Sequence, residues 1–173
     1  MANLEPLIQS IPVAPLKLAS LEGCRTLADQ VNNYLVSFRH ESPTNVGQAD
    51  SLQGYCADSY LLECECPRFG SGEGKGVLKE SVRGCDLFIM VDVTNYSLTY
   101  RVNGYENHMS PDNHYQDLKR IISAATGKAH RINVIMPFLY EGRQHRRTKR
   151  ESMDCALMLQ ELRDMGVSNF ITF

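Results

Sequence analysis

The sequence predicts an α/β domain with a largely parallel sheet flanked by helices, on three observations. Strand-like and helix-like periods alternate along the chain. The run Leu87-Phe88-Ile89-Met90-Val91 is apolar without a break, the pattern of a strand buried on both faces of a parallel sheet. A length of 173 residues, 43% hydrophobic and 22% charged, suits one domain around one core.

Residues 1–14, with Pro6 and Pro12, read as an N-terminal tail, and 15–173 as the domain. Pro15-Leu16-Lys17-Leu18-Ala19 is a short strand. From Gly23 the period becomes helical, with Leu27, Val31, Leu35 and Phe38 in a stripe that Ala28 and Tyr34 widen. Between His40 and Asp58 periodicity vanishes and Ser, Pro, Asn, Gly and Asp gather, which marks a long surface loop. Tyr60, Leu62, Cys64 and Cys66 then alternate with Leu61, Glu63 and Glu65, as in a strand with one wet face. A sharp turn over Arg68–Gly76 leads to a short return strand at Val77–Glu80, and the buried central strand follows. Ser110-Pro111-Asp112 starts a helix, since Ser caps, Pro fits the first position and Asp complements the positive end of the dipole. That helix buries Tyr115, Leu118, Ile122 and Ala125 and stops near Gly127. Arg131–Pro137 is the next strand, a helix with Met153, Ala156, Leu157 and Leu162 on its stripe runs to Gly166, and Phe170–Phe173 begins another strand. The strand–helix–strand rhythm implies right-handed crossovers.

Eighteen Lys and Arg against twenty Asp and Glu give a formal charge of −2, so no global basic field exists to hold nucleic acid or an anionic membrane. The longest clean apolar run is far short of the ~20 residues that cross a bilayer. Glu5, Pro6, Pro12 and Pro15 interrupt what a secretory signal would keep basic and then apolar. Six cysteines lie scattered without a CxxC pair and read as reduced thiols, which makes the cytosol the expected compartment.

Ligands of parallel α/β sheets bind beyond the carboxyl ends of the strands, which singles out two stretches. The loop after Pro137 holds five of the eighteen basic side chains, and Arg143, Arg146 and Arg147 offer planar, permanently charged donors suited to a polyphosphate. A solvated basic turn or a nucleic-acid patch would look the same, and the position after a parallel strand is what favours phosphate. The second stretch is the turn with Gly70, Gly72, Gly74 and Gly76. It lacks the Gly-Lys-Ser/Thr of a P-loop, and by itself a hairpin turn is its plainer reading. Phe69 and Glu73 sharpen it, because an aromatic ring beside a carboxylate acceptor forms a purine-recognition pair. Cys64 and Cys66 share a strand face but lack further metal-ligand spacing, His108 and His114 suit surface or capping roles, and Asp92 stands alone past the central strand.

The order of these motifs resembles the N-terminal half of ribose-phosphate pyrophosphokinase (PRPP synthetase). The family pattern Arg-Phe-Ser-Asp-Gly-Glu, then Glu-Ser-Val-Arg-Gly-x-Asp-Val-Phe-Ile, is similar to Arg68-Phe69-Gly70-Ser71-Gly72-Glu73, then Glu80-Ser81-Val82-Arg83-Gly84-Cys85-Asp86-Leu87-Phe88-Ile89. Its Lys-Arg-Ile-Asn-Val-Val-Ile-Pro-Tyr and Ala-Arg-Gln-Asp-Arg resemble His130–Phe138 and Gly142-Arg143-Gln144-His145-Arg146. The resemblance covers Leu16 to Phe173 and implies a phosphoribosyltransferase-like, Rossmann-like domain with a small antiparallel flap. It implies transfer of the β,γ-pyrophosphoryl group of ATP to the C1 hydroxyl of ribose 5-phosphate, with Mg²⁺, giving PRPP and AMP. It further implies that Phe69, Ser71, Gly72, Glu73, Arg143 and Gln144 bind ATP, in a homo-oligomer whose nucleotide site is shared between subunits. Phe69 would stack on adenine, Glu73 would accept from its amino group, Arg143 would engage phosphates and Gln144 would orient the nucleotide. Ser71 and His145 replace acidic residues of the family pattern, which leaves open a non-catalytic regulatory paralogue. The family's Asp-x-His metal motif and ribose-phosphate loop would follow Phe173, so this chain is expected to be half an enzyme, inactive alone, with no catalytic or metal-binding residue assigned within it.

Overall fold

The computed structural model describes residues 13–41 and 54–173. Most of the tail read at 1–14 and the middle of the loop read at His40–Asp58 lie outside the described residues. Strands β1 (Leu16–Ser20), β2 (Leu61–Leu62), β5 (Asp86–Met90), β8 (Arg131–Ile135) and β9 (Val167–Ile171) form one sheet in the order β2-β1-β5-β8-β9, every pair parallel. Helix α1 (Arg25–Glu41) follows β1, α2 (Pro111–Ala125) precedes β8, and α3 (Asp154–Asp164) joins β8 to β9.

The central strand is apolar throughout because both of its faces are covered. Leu87, Ile89 and Val91 pack with Ile132, Val134 and Met136 under Leu118, Ile121 and Ile122 of α2 and Met158 and Leu162 of α3. On the other face Leu18, Cys24 and Met90 pack with Ala28 of α1, flanked by Phe88 and Ile135. Buried Asp86, at the amino end of β5, takes a hydrogen bond from Asn133 (2.7 Å) and pairs with Arg131, and Asn169 reaches Asn133 at 2.6 Å. A polar chain thus crosses three strands with its buried members satisfied.

Several sequence expectations shift. The α1 stripe is centred on Ala28 and Asn32, whose carboxamide oxygen accepts from the Tyr60 N–H (2.8 Å), while Leu27 and Tyr34 face outward and Tyr34 stacks on Phe38. The single strand read over Tyr60–Cys66 breaks at Glu63, with β2 on the main sheet and β3 (Cys64–Glu65) pairing antiparallel with β4 (Val77–Leu78) as a flap. The stripe of α3 is Cys155, Met158 and Leu162, whereas Met153, Ala156 and Leu157 are exposed, because the helix enters about one residue later than its apolar spacing suggests. The last strand begins at Val167 rather than Phe170. A hairpin of β6 (Thr99–Val102) and β7 (Tyr105–His108) was not expected. Its signal is in the sequence: Asn103-Gly104 both take positive φ (51° and 83°), as a two-residue type I′ turn requires. Helix α2 starts as read, with Ser110 and Asn113 closing a capping box. Among the described residues no helix is long and apolar enough to cross a membrane.

Candidate functional site

The parallel register aligns Ser20, Met90, Ile135 and Ile171 at one edge of the sheet. The flap, the β6-β7 hairpin and the basic loop all leave the sheet at this carboxyl edge, so the topology gathers the two candidate stretches on the side where α/β sheets take ligands.

The flap turn is tight. The Phe69 N–H donates to the Glu73 carbonyl (2.7 Å), and the Gly72 N–H to the Phe69 carbonyl (2.9 Å). Gly72 sits at φ +90°, where a Cβ would be strained and would also lie 3.0 Å from Val102 of the hairpin. This geometry leaves the Phe69 ring 53% exposed. The exposed Glu73 carboxylate accepts from the Ser71 hydroxyl at 2.8 Å on one oxygen, which leaves the other for a ligand amine. Below the turn Arg68 forms a fork with Asp117 of α2 (2.6 and 2.8 Å), their side chains only 9% and 5% exposed, and Arg120 adds a third contact to Asp117 at 2.6 Å. Burial is the largest single influence on Arg68 and opposes its charge, but the hydrogen bonds to Asp117 and the Asp117 charge, with smaller help from Cys66 and Tyr100, together outweigh it and raise its pKa.

The basic loop is stapled at both ends. Tyr140 stacks on Tyr115 (centroids 4.6 Å apart) and donates to Asp112 (2.7 Å), which ties the loop's start to α2; burial and then this hydrogen bond raise its pKa. Gln144 donates to the Ser152 carbonyl at 2.9 Å, so its side chain closes the loop. His145 contacts the Gly142 carbonyl through Nδ1 (3.0 Å) and accepts from Arg146 Nε through Nε2 (3.2 Å). Arg143, Arg146 and Arg147 are exposed and make no ion pair among the described residues. Unpaired guanidinium groups on a braced loop offer planar charged donors of the kind an anion takes.

The structure therefore brings Phe69, Ser71, Gly72 and Glu73 together in one turn and Arg143, Gln144, Arg146 and Arg147 in one loop. No hydrogen bond joins the two stretches among the described residues. A cavity of about 260 Å³ lies between the flap base and the hairpin, lined by Leu21, Arg25, Arg68, Tyr100, His114 and Asp117 among others. It occupies the place where the strand order reverses between β1 and β5. The sequence reading missed His114 and Asp117 as site-building residues: His114 is 2% exposed, against the surface role expected, and meets the Asn95 carbonyl through Nε2 at 2.6 Å. Their three-residue spacing on one helix face was the available signal. Cys64 and Cys66 are inward-facing thiols of the flap strand, and among the described residues no three His, Cys, Asp or Glu side chains converge as a metal set.

A family model for the N-terminal domain of ribose phosphate pyrophosphokinase matches residues 16–166. A ribose-phosphate pyrophosphokinase of Corynebacterium ammoniagenes is 30% identical over 159 residues, 91% of this chain and 39% of that protein. Ribose-phosphate pyrophosphokinase B of Dictyostelium discoideum is 29% identical over 118 residues, 68% of this chain and 32% of its own length. The crystal structure of phosphoribosylpyrophosphate synthetase from Mycobacterium smegmatis superposes with a TM-score of 0.64 at 22% identity, covering 91% of this chain and 42% of that one, a likeness of fold. The chain thus spans about two-fifths of the first of these relatives. Its motifs, its sheet order and the extent of the family match agree, and the chain belongs to the ribose-phosphate pyrophosphokinase family, matching its N-terminal domain.

Proposed function

We propose that the protein carrying this chain transfers the pyrophosphoryl group of ATP to ribose 5-phosphate, and that this chain supplies the ATP side of the site. The unpaired Arg143, Arg146 and Arg147 at the carboxyl edge of the sheet carry this reading. In the reaction the C1 hydroxyl oxygen bonds to the β-phosphorus, the bond from that phosphorus to the α,β-bridging oxygen breaks, AMP leaves and the hydroxyl proton is lost. Positioning and charge neutralisation do most of such work. Arg143, Arg146 and Arg147 hold the phosphate oxygens, Phe69 stacks on adenine, and Glu73, oriented by Ser71, accepts from the exocyclic amine. Gln144, spent on Ser152, shapes the loop around the nucleotide. Mg²⁺ arrives with ATP as its counter-ion. The six free thiols agree with work in the cytosol.

Arg143→Glu in the full-length protein tests the site. ATP affinity measured by calorimetry should fall at least about tenfold, because a cation facing phosphate becomes an anion. Unchanged affinity removes the assignment.

The 173-residue chain alone should bind ATP without turning it over, since donor and acceptor must be held at near contact and this chain accounts for one of them. AMP release dependent on ribose 5-phosphate and Mg²⁺ should read background for the chain and signal for the full-length protein. Robust turnover by the chain overturns that expectation. The substitutions at Ser71 and His145 favour a second reading, a regulatory subunit of such enzymes. Full-length protein that binds ATP and releases no AMP selects it.

A further inference from the structure

The Phe69–Glu73 turn stands on a weak foundation of its own. Strands β3 and β4 are two residues long each, and so short a ladder does not fix the direction in which a turn projects. Phe69 and Glu73 are exposed, and among the described residues neither side chain makes a hydrogen bond to the main sheet that would aim it. The aim has to come from what the turn leans on, and it leans on two neighbours. On one side Gly76 lies so close to α2 that a Cβ there would be 2.5 Å from the Arg120 backbone. On the other side lies the β6-β7 hairpin, where a Cβ on Gly72 would meet Val102 at 3.0 Å and where the Arg68 guanidinium sits 5.2 Å from the centre of the Tyr100 ring.

The hairpin is built to meet the flap. Tyr100 and Val102 are the alternate, half-buried residues of its first strand, while Thr99 and Arg101 are exposed. An isolated two-stranded hairpin is marginal in water, so this one must be held too. Helix α2 holds both elements from one face: His114 meets the Asn95 carbonyl of the segment that leads into the hairpin (2.6 Å), and three residues on, Asp117 takes the flap base through Arg68 (2.6 Å). The Arg68 cation lies between the Asp117 carboxylate and the Tyr100 ring, an ion pair and a cation–π contact sharing one group.

We infer that the Thr99–His108 hairpin is the buttress that aims the adenine-recognition turn, with Tyr100 and Val102 as positioning residues acting through Arg68 and Gly72. This rests on the proposed role of Phe69 and Glu73 as the adenine-binding pair. Tyr100 and Val102 touch no nucleotide; they set where Phe69 and Glu73 meet it.

Steady-state kinetics of the full-length protein test this, comparing Tyr100→Ala, Tyr100→Phe and Val102→Ala. Tyr100→Ala should raise KM for ATP about tenfold with kcat changed less than about twofold, because the ring under Arg68 is lost while the phosphate loop is untouched. KM for ribose 5-phosphate should stay constant, and Tyr100→Phe, which keeps the ring, should match the parent. Val102→Ala trims the contact with Gly72 and should raise KM for ATP about threefold, which keeps the test alive if Tyr100→Ala does not fold. Equal rises in both KM values indicate general loosening and overturn the inference, as does an unmoved ATP KM in variants that fold. A parent protein with no ATP-dependent activity overturns the functional reading beneath it, so the two failures are distinguishable.

Discussion

Burial decides the chemistry of the thiols one residue at a time. Cys64 is pushed up to about 11, chiefly by burial, with Arg25 pulling down and Glu63 pushing up. Cys66 is pushed up to about 12 by burial and then by the Asp117 charge, and Cys24 to about 11 by burial and then Asp92. The thiolate is the reactive form, so these three are protected twice, by access and by protonation. A pKa raised from 9.0 means that the folded state holds its proton more tightly than the unfolded state does. Their contribution to stability is therefore complete below pH 9 and lost as pH rises toward 11–12. Cys56, by contrast, is open to solvent. Alkylation with iodoacetamide at pH 8, followed by peptide mass mapping, should label Cys56 first and reach Cys24, Cys64 and Cys66 only after denaturant is added. Labelling of Cys64 as fast as Cys56 would contradict the buried placement.

At the scale of elements, what the sequence makes legible depends on whether a signal is local. The central strand is readable because burial on both faces leaves only apolar choices at Leu87–Val91, and α2 because its cap is written in Ser110-Pro111-Asp112-Asn113. The flap turn and the basic loop are readable as candidate sites for the same reason: Phe69, Glu73 and the Arg cluster each lie within a few residues of one another. The facing of α1 and α3 is less legible, since Leu27, Tyr34, Met153 and Leu157 are apolar yet exposed and a one-residue shift in entry rotates a helix by about 100°. Glu63 separates two strands in different sheets, and no local pattern announces that change of partner. The tie from Arg68 to Asp117 spans 49 residues of sequence, so it emerges only when the flap lies on α2. The hairpin is the opposite case, since Asn103-Gly104 is a strong local signal.

At the scale of the whole molecule the two halves of the proposed ATP site stand on different supports. The flap turn projects from a seat made by α2 and the hairpin, while the basic loop is braced by Tyr140 on Asp112 and Gln144 on Ser152. With Phe69 turned to solvent and no hydrogen bond between the stretches among the described residues, the flap is free to reach a nucleotide on a neighbouring copy. Two-fold dimers are the commonest homo-oligomers, and in one each subunit would lend its flap to the other's loop. That arrangement has a consequence which a site within one subunit lacks. Phe69→Ala damages only the flap lent away and Arg143→Glu only the loop kept, so a mixed dimer holds one site with both parts intact and one with neither. Co-expression of the two variants, each nearly inactive alone, should restore about a quarter of parental activity: half the dimers are mixed and half of their sites are whole. Sites contained within one subunit would leave the mixture as inactive as its components, and that result, or light scattering that finds only monomers of the full-length protein at working concentration, would end the shared-site proposal.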